Sequence, residues 1–200
     1  MRGVLLAAGL VFVAISAKAD PIRIAAFGDS NTAAFMVGAD RGYPADLQQI
    51  LRTKGHDVVV TNGGVSGATS ADGVKTVDKL VPTGTDIAIV FFGRNDHRWG
   101  VDEKVTRANI DAIVMRLRAR HIAVLLAGYW QYDFSTIARA QGAAYYPQFF
   151  DGVAVNGEKL PQYKLTFDPL QHLNADGYRV VASRIAPAVE ALVKQVEATR

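Results

Sequence analysis

The feature that most constrains this chain is a repeated alternation. Short, mainly apolar runs stop at glycines and are separated by segments with helical periodicity. Ile22–Phe27 stops at Gly28, Asp57–Asn62 runs into Gly63, Asp86–Phe92 stops at Gly93, and Ile122–Ala127 stops at Gly128. Runs of this length, rich in Val, Ile and Leu, read as strands buried on both faces. Between them, Tyr43–Lys54, Ser70–Val81 and Asp102–Arg120 read as helices. Pro44 suits a first helical turn and Gly55 a helix end. Asp102 and Glu103 open the longest of these segments and Arg116, Arg118 and Arg120 close it, which complements the helix dipole. The pattern further predicts a short helix over Phe134–Gly142 and a fifth strand over Tyr145–Phe150. A closing helix follows over Ala175–Val196, bent or interrupted at Pro187. Strands alternating with helices imply right-handed crossovers, so the predicted class is α/β, a mainly parallel sheet covered on both faces. Ligands of such sheets bind outside the carboxyl ends of the strands.

Composition narrows the chemistry. With 200 residues the chain is long enough for one full hydrophobic core. It has no cysteine, which excludes disulfides, thiolate metal sites and a cysteine nucleophile. Its N-terminus has the layout of a secretory signal peptide: Arg2, an apolar run from Val4 to Ile15, then Ala17-Lys18-Ala19. That run is shorter than the ~20 residues needed to span a bilayer. The alternatives are a buried strand or a membrane anchor. We expect cleavage after Ala19, a domain comprising residues 20–200, and a periplasmic or secreted location without stable membrane insertion. Most of the formal charge of +3 would leave with Arg2 and Lys18. No Lys/Arg run interleaved with aromatics points to a nucleic-acid partner.

Four strand-end or C-terminal segments carry reactive side chains. The first reads Gly28-Asp29-Ser30-Asn31-Thr32. Such a loop can cradle a phosphate, present Ser30 as a nucleophile, or be a polar turn; Asp29 counts against the phosphate. The second, Asn62 to Thr69, offers glycines whose amides are open to an oxyanion, or a flexible turn. The third reads Gly93-Arg94-Asn95-Asp96, where the Asn95 amide is a neutral donor suited to an oxyanion, or a helix cap. The fourth reads Asp168-Pro169-Leu170-Gln171-His172. Of the four histidines, only His172 combines a site-side position with a nearby orienting acid. Met36, Arg94, Trp99, Tyr129 and Trp130 are candidate substrate contacts, together with Asp29.

Gly28-Asp29-Ser30, Arg41-Gly42-Tyr43-Pro44, Asn62 to Thr69, Gly93-x-Asn95-Asp96 and the final Asp-His block occur in this order across nearly the whole chain after the leader. In this the sequence resembles the SGNH (GDSL-type) hydrolases, in particular their thioesterase, lysophospholipase and arylesterase branch. The resemblance implies a three-layer, flavodoxin-like α/β/α fold with a five-stranded sheet of order 2-1-3-4-5. It implies Ser30 as nucleophile, His172 as base and Asp168 as its orienter. The oxyanion hole would combine the Ser30 amide, the Gly67 amide and the Asn95 side chain. Two departures stand out. Asp168 lies four residues before His172 where the family usually has three, and Ala68 stands where this branch often has Asp. The expected activity is hydrolysis of short- to medium-chain acyl or aryl esters, with thioesters or lysophospholipids as variants, and no metal or organic cofactor. The alternatives are deacetylation of envelope glycans and a non-catalytic periplasmic binding protein on a flavodoxin-like fold.

Overall fold

The computed structural model describes residues 20–200, so the expected signal peptide lies outside the described residues. Five strands form one parallel sheet: β1 (Ile22–Gly28), β2 (Val58–Gly64), β3 (Ile87–Phe91), β4 (Ala123–Ala127) and β5 (Ala144–Tyr146). Their order is β2-β1-β3-β4-β5, as the resemblance implied. β3 is buried at every position and supplies the middle of the core.

The helices are α1 (Ser30–Ala33), α2 (Tyr43–Thr53), α3 (Ser70–Leu80), α4 (Arg94–Arg98), α5 (Glu103–Ala119), α6 (Ser135–Ala140) and α7 (Ala175–Glu197). The sheet order reverses direction after β2. Right-handed crossovers therefore place α2 on one face and α3, α5 and α6 on the other. α7 packs against α2, and α3 packs against α5, completing the three layers. Local sequence sets the helix starts. Thr69 and Asp72 form a reciprocal capping box on α3. The Asp102 side chain accepts from the Lys104 amide at 2.7 Å to start α5. Asn174 accepts from the Gly177 amide at 2.9 Å to start α7.

Three sequence expectations need correction. The fifth strand is not Tyr145–Phe150 but Ala144–Tyr146. Pro147 has no amide hydrogen for the ladder, and the chain turns through Gln148–Asp151. Phe149 and Phe150, which read as strand residues, are buried loop anchors, with Phe149 stacked on Phe91 at 3.9 Å. The closing helix is not interrupted at Pro187. Burial of Ile185, Val189, Leu192 and Val193 along it outweighs one missing backbone bond. The second strand extends past Asn62 to Gly64, which pairs with Gly28.

This last pairing shapes the carboxyl end of the sheet. A Cβ on Gly64 would lie 2.1 Å from the Ala33 amide nitrogen and 2.6 Å from Ala33 Cα. A Cβ on Gly28 would lie 2.3 Å from Thr32 Oγ1 and 2.5 Å from the Phe91 carbonyl oxygen. The first turn of α1 therefore sits directly on the strand end. Gly64→Ala must push that turn away, an overpacking defect of about 1–3 kcal/mol. Urea denaturation should show this loss; an unchanged midpoint would mean that α1 moves freely.

Candidate active site

Ser30 is the first residue of α1 and is 7% exposed. Its Oγ lies 2.8 Å from Nε2 of His172. The other ring nitrogen, Nδ1, lies 2.6 Å from Asp168 Oδ2. The carboxylate fixes the proton on Nδ1, so that Nε2 accepts from the serine hydroxyl. The same Oδ2 accepts the His172 amide at 2.6 Å, and Oδ1 accepts the Leu170 amide at 3.0 Å. The four-residue spacing thus closes on itself. Gln171 adopts the left-handed region (φ +55°), its amide donates to the Asp168 carbonyl at 2.9 Å, and the chain curls back so that imidazole and carboxylate meet.

Burial opposes ionisation of Asp168, but the amides of His172 and Leu170 and the imidazole outweigh it and hold the carboxyl below its usual range. Burial pushes His172 below the ordinary imidazole value, although Asp168 pulls it up; the Lys159 ammonium adds to the lowering. The His172 imidazole is therefore held toward its neutral form. The ring of Phe35 covers it at 4.9 Å.

The groups expected to act as oxyanion donors lie at two further strand ends. The Asn95 carboxamide nitrogen donates to the Ala68 carbonyl at 2.8 Å, which ties α4 to the glycine loop and leaves its second hydrogen unused. Gly67 has φ +80°, which a side chain would strain. Among the described residues neither the Gly67 nor the Ser30 amide donates a hydrogen bond. The neighbour of Asn95, Asp96, is fully buried and accepts from the Ser70 amide at 2.9 Å, the Ser70 hydroxyl, and Thr106 Oγ1 at 3.4 Å. It locks α4 to the starts of α3 and α5. Asp29 lies beneath Ser30, fully buried, with Oδ1 held by the backbone and side chain of Asn31 and Oδ2 without a partner. Burial raises its pKa despite those bonds.

A cavity of about 360 Å³ opens onto this cluster. Of the sequence candidates, Asp29, Ser30, Arg94, Asn95, Tyr129, Trp130 and His172 line it. Met36 (71% exposed) and Trp99 (59% exposed) lie outside its lining, as does Gly67. Sequence reasoning missed Lys159, which also lines the cavity and is 6% exposed. Lys159 sits on β7 (Glu158–Lys159) of a small hairpin with β6 (Ala154–Val155). The turn is Asn156-Gly157, both with positive φ, and this dipeptide between two short strands is a hairpin signal legible in the sequence. Among the described residues no cluster of three His, Asp or Glu is placed to hold a metal ion.

The family model described as GDSL-like lipase/acylhydrolase matches residues 26–180. Over 129 residues, 64% of this chain, the sequence is 31% identical to the esterase TesA of Pseudomonas aeruginosa. Over 115 residues, 57% of the chain, it is 28% identical to the arylesterase of Vibrio mimicus. The chain spans 64% and 58% of the length of these two relatives. Among solved structures, AlinE4, an SGNH-hydrolase family esterase, is 28% identical with a TM-score of 0.68, covering 88% of this chain and 98% of that one. The crystal structure of TesA matches with a TM-score of 0.74 at 24% identity, covering 85% of this chain and 99% of that one, and shows the same fold.

The electrostatics of the Asp168–His172 pair can be read by titration. An NMR titration of the His172 ring should give a midpoint below 6.5. In Asp168→Asn the midpoint should drop further, because the carboxylate is the group that favours the imidazolium. A wild-type midpoint above 6.5, or a rise in the variant, would contradict this arrangement.

Proposed function

Because the chain belongs to the GDSL-like lipase/acylhydrolase family, we propose that it is a serine hydrolase of carboxylic esters, with Ser30 as nucleophile. The observation that carries this reading is the continuous relay from Ser30 Oγ to His172 Nε2 at 2.8 Å and from His172 Nδ1 to Asp168 at 2.6 Å, at the carboxyl end of a parallel sheet. A binding protein has no use for a buried hydroxyl hydrogen-bonded to a neutral, oriented imidazole. The esterase and arylesterase named among the relatives support the same class.

In the proposed reaction His172 Nε2 takes the Ser30 hydroxyl proton as Oγ bonds to the acyl carbonyl carbon. The carbonyl oxygen becomes an oxyanion, held by the amide hydrogens of Ser30 and Gly67 and by the free hydrogen of Asn95 Nδ2. Asp168 remains ionised and steadies the imidazolium. Collapse of the tetrahedral intermediate breaks the acyl–oxygen or acyl–sulfur bond, and His172 returns its proton to the leaving alcohol or thiol. Water then enters, gives its proton to His172 and attacks the acyl carbon. The second collapse releases the carboxylic acid and restores the Ser30 hydroxyl. Tyr129 and Trp130 give the cavity an aromatic wall suited to a small aryl or short acyl group. With export through the N-terminal signal, the substrate would be met in the periplasm or outside the cell.

A fluorophosphonate probe should label the wild-type protein and not Ser30→Ala, and Ser30→Ala should lose hydrolysis of a nitrophenyl ester series. Asn95→Ala, checked for a native melting curve, should lower kcat by about 10²–10³-fold. Wild-type turnover in Ser30→Ala would end this mechanism.

A further inference from the structure

Lys159 and Arg94 face the same aromatic ring. The Lys159 ammonium nitrogen stands 4.5 Å from the centre of the Phe150 ring, and the Arg94 guanidinium carbon stands 5.1 Å from it. Arg94 also lies within 6 Å of the ring centres of Tyr129 (5.9 Å) and Trp130 (5.7 Å). Both cations line the cavity that holds Ser30 and His172. Neither makes an ion pair with any carboxylate of the described residues. Among the described residues the Lys159 ammonium makes one hydrogen bond, to a neutral acceptor, the Gln171 carbonyl oxygen, at 2.7 Å.

Lys159 is buried and Arg94 half-buried; cations so placed are ordinarily paired, and two held around one ring repel each other. The repulsion is visible in Lys159: burial first, and Arg94 second, pull its pKa down to about 7, against the opposing pull of Asp29 and Asp168. Neither acid neutralises the pair. Asp168 is spent on His172, and Asp29 is fully buried, with burial opposing its ionisation. Arg98 adds a further positive charge at the rim. An arrangement that costs stability when empty and would be relieved by a bound anion is what a specificity site requires.

We propose that Arg94 and Lys159 form an anion subsite beside the nucleophile, which selects ester substrates carrying a carboxylate or a phosphate. The planar guanidinium offers a forked pair of donors to an oxyanion, and the ammonium adds a second charge at short range. The aromatic rings exclude water and strengthen both contacts. This proposal rests on the esterase reading. It adds a substrate class that the triad alone does not specify.

Two matched pairs of esters test it. Mono-4-nitrophenyl adipate against 4-nitrophenyl hexanoate places a carboxylate on the acyl side. 1-Hexanoylglycerol 3-phosphate against 1-hexanoylglycerol places a phosphate on the alcohol side. The wild type should favour the anionic member of at least one pair in kcat/KM, and the favoured pair identifies the source of the anion. In Arg94→Met and Lys159→Met that preference should fall by about tenfold or more. The preference is a ratio within each variant, so a general loss of activity cancels. Arg94→Lys, which restores a charge, should recover part of it. Calorimetric titration with adipate and with glycerol 3-phosphate gives a second readout that needs no turnover, and binding of one of them should weaken by a similar factor in both variants. A neutral preference in both pairs, or variants that keep the wild-type ratio and affinity, would overturn the subsite. Absence of hydrolysis of all four esters, with anion binding that depends on Arg94 and Lys159, would instead overturn the esterase reading and leave the subsite standing.

Discussion

The carboxyl end of the sheet, where Ser30 and His172 meet, depends on the level finish of three strands. Gly28 pairs with Gly64 on one side and Phe91 on the other, so β1, β2 and β3 end in the same plane. Only hydrogen atoms on Gly28 and Gly64 allow α1 to lie against that plane. The serine is held high at the rim by backbone packing, not by its own side chain. The loops after β2 and β3 begin at the same height, so their donors reach the same small space. A parallel sheet with staggered ends would scatter these groups over several residues' length of strand.

Two buried carboxylates turn this shared height into fixed geometry. Asp96 gathers the first residue of α3, a threonine of α5 and its own helix α4 around one side chain. Asn95 is thereby aimed from a rigid base. Asp168 does the same for the C-terminal loop, where it binds two amides and one imidazole. In each case the acid is satisfied by several neutral donors, which is the arrangement that makes burial of a charge tolerable. Asp29 differs, since one of its oxygens lacks a partner and its ionisation is disfavoured.

Much of this was legible in the sequence because it is local. Strands that stop at glycine, helices with caps, and reactive residues just past strand ends follow from short-range patterns. They led to Ser30, Asn95 and His172 and to the sheet order through the resemblance. Asp168 was legible as a partner for His172 despite Pro169 occupying the usual position, and the left-handed Gln171 explains how the longer loop still closes. What escaped was long-range. Phe149 and Phe150 have strand-like character, yet their place is decided by Phe91 and by the cations on the ring of Phe150. Lys159 reads as an ordinary surface lysine until the Asn156-Gly157 hairpin folds it inward. Met36 and Trp99 were expected at the cavity because they neighbour reactive residues in the chain, but each projects outward. Proximity in sequence does not fix side-chain direction.

The hydrogen bond between Ser30 and His172 joins residues 142 positions apart. Between them lie β2, β3, β4 and β5, every strand of the main sheet except the first. Ser30 therefore meets the His172 imidazole only when the sheet is complete and the segment leading into α7 has docked. Closure of this hydrogen bond is a late and global event, since contacts of such separation close after local ones. The contact between Ser30 and His172 is thus a gauge of the whole fold, and a partly assembled chain leaves the serine hydroxyl without its imidazole partner.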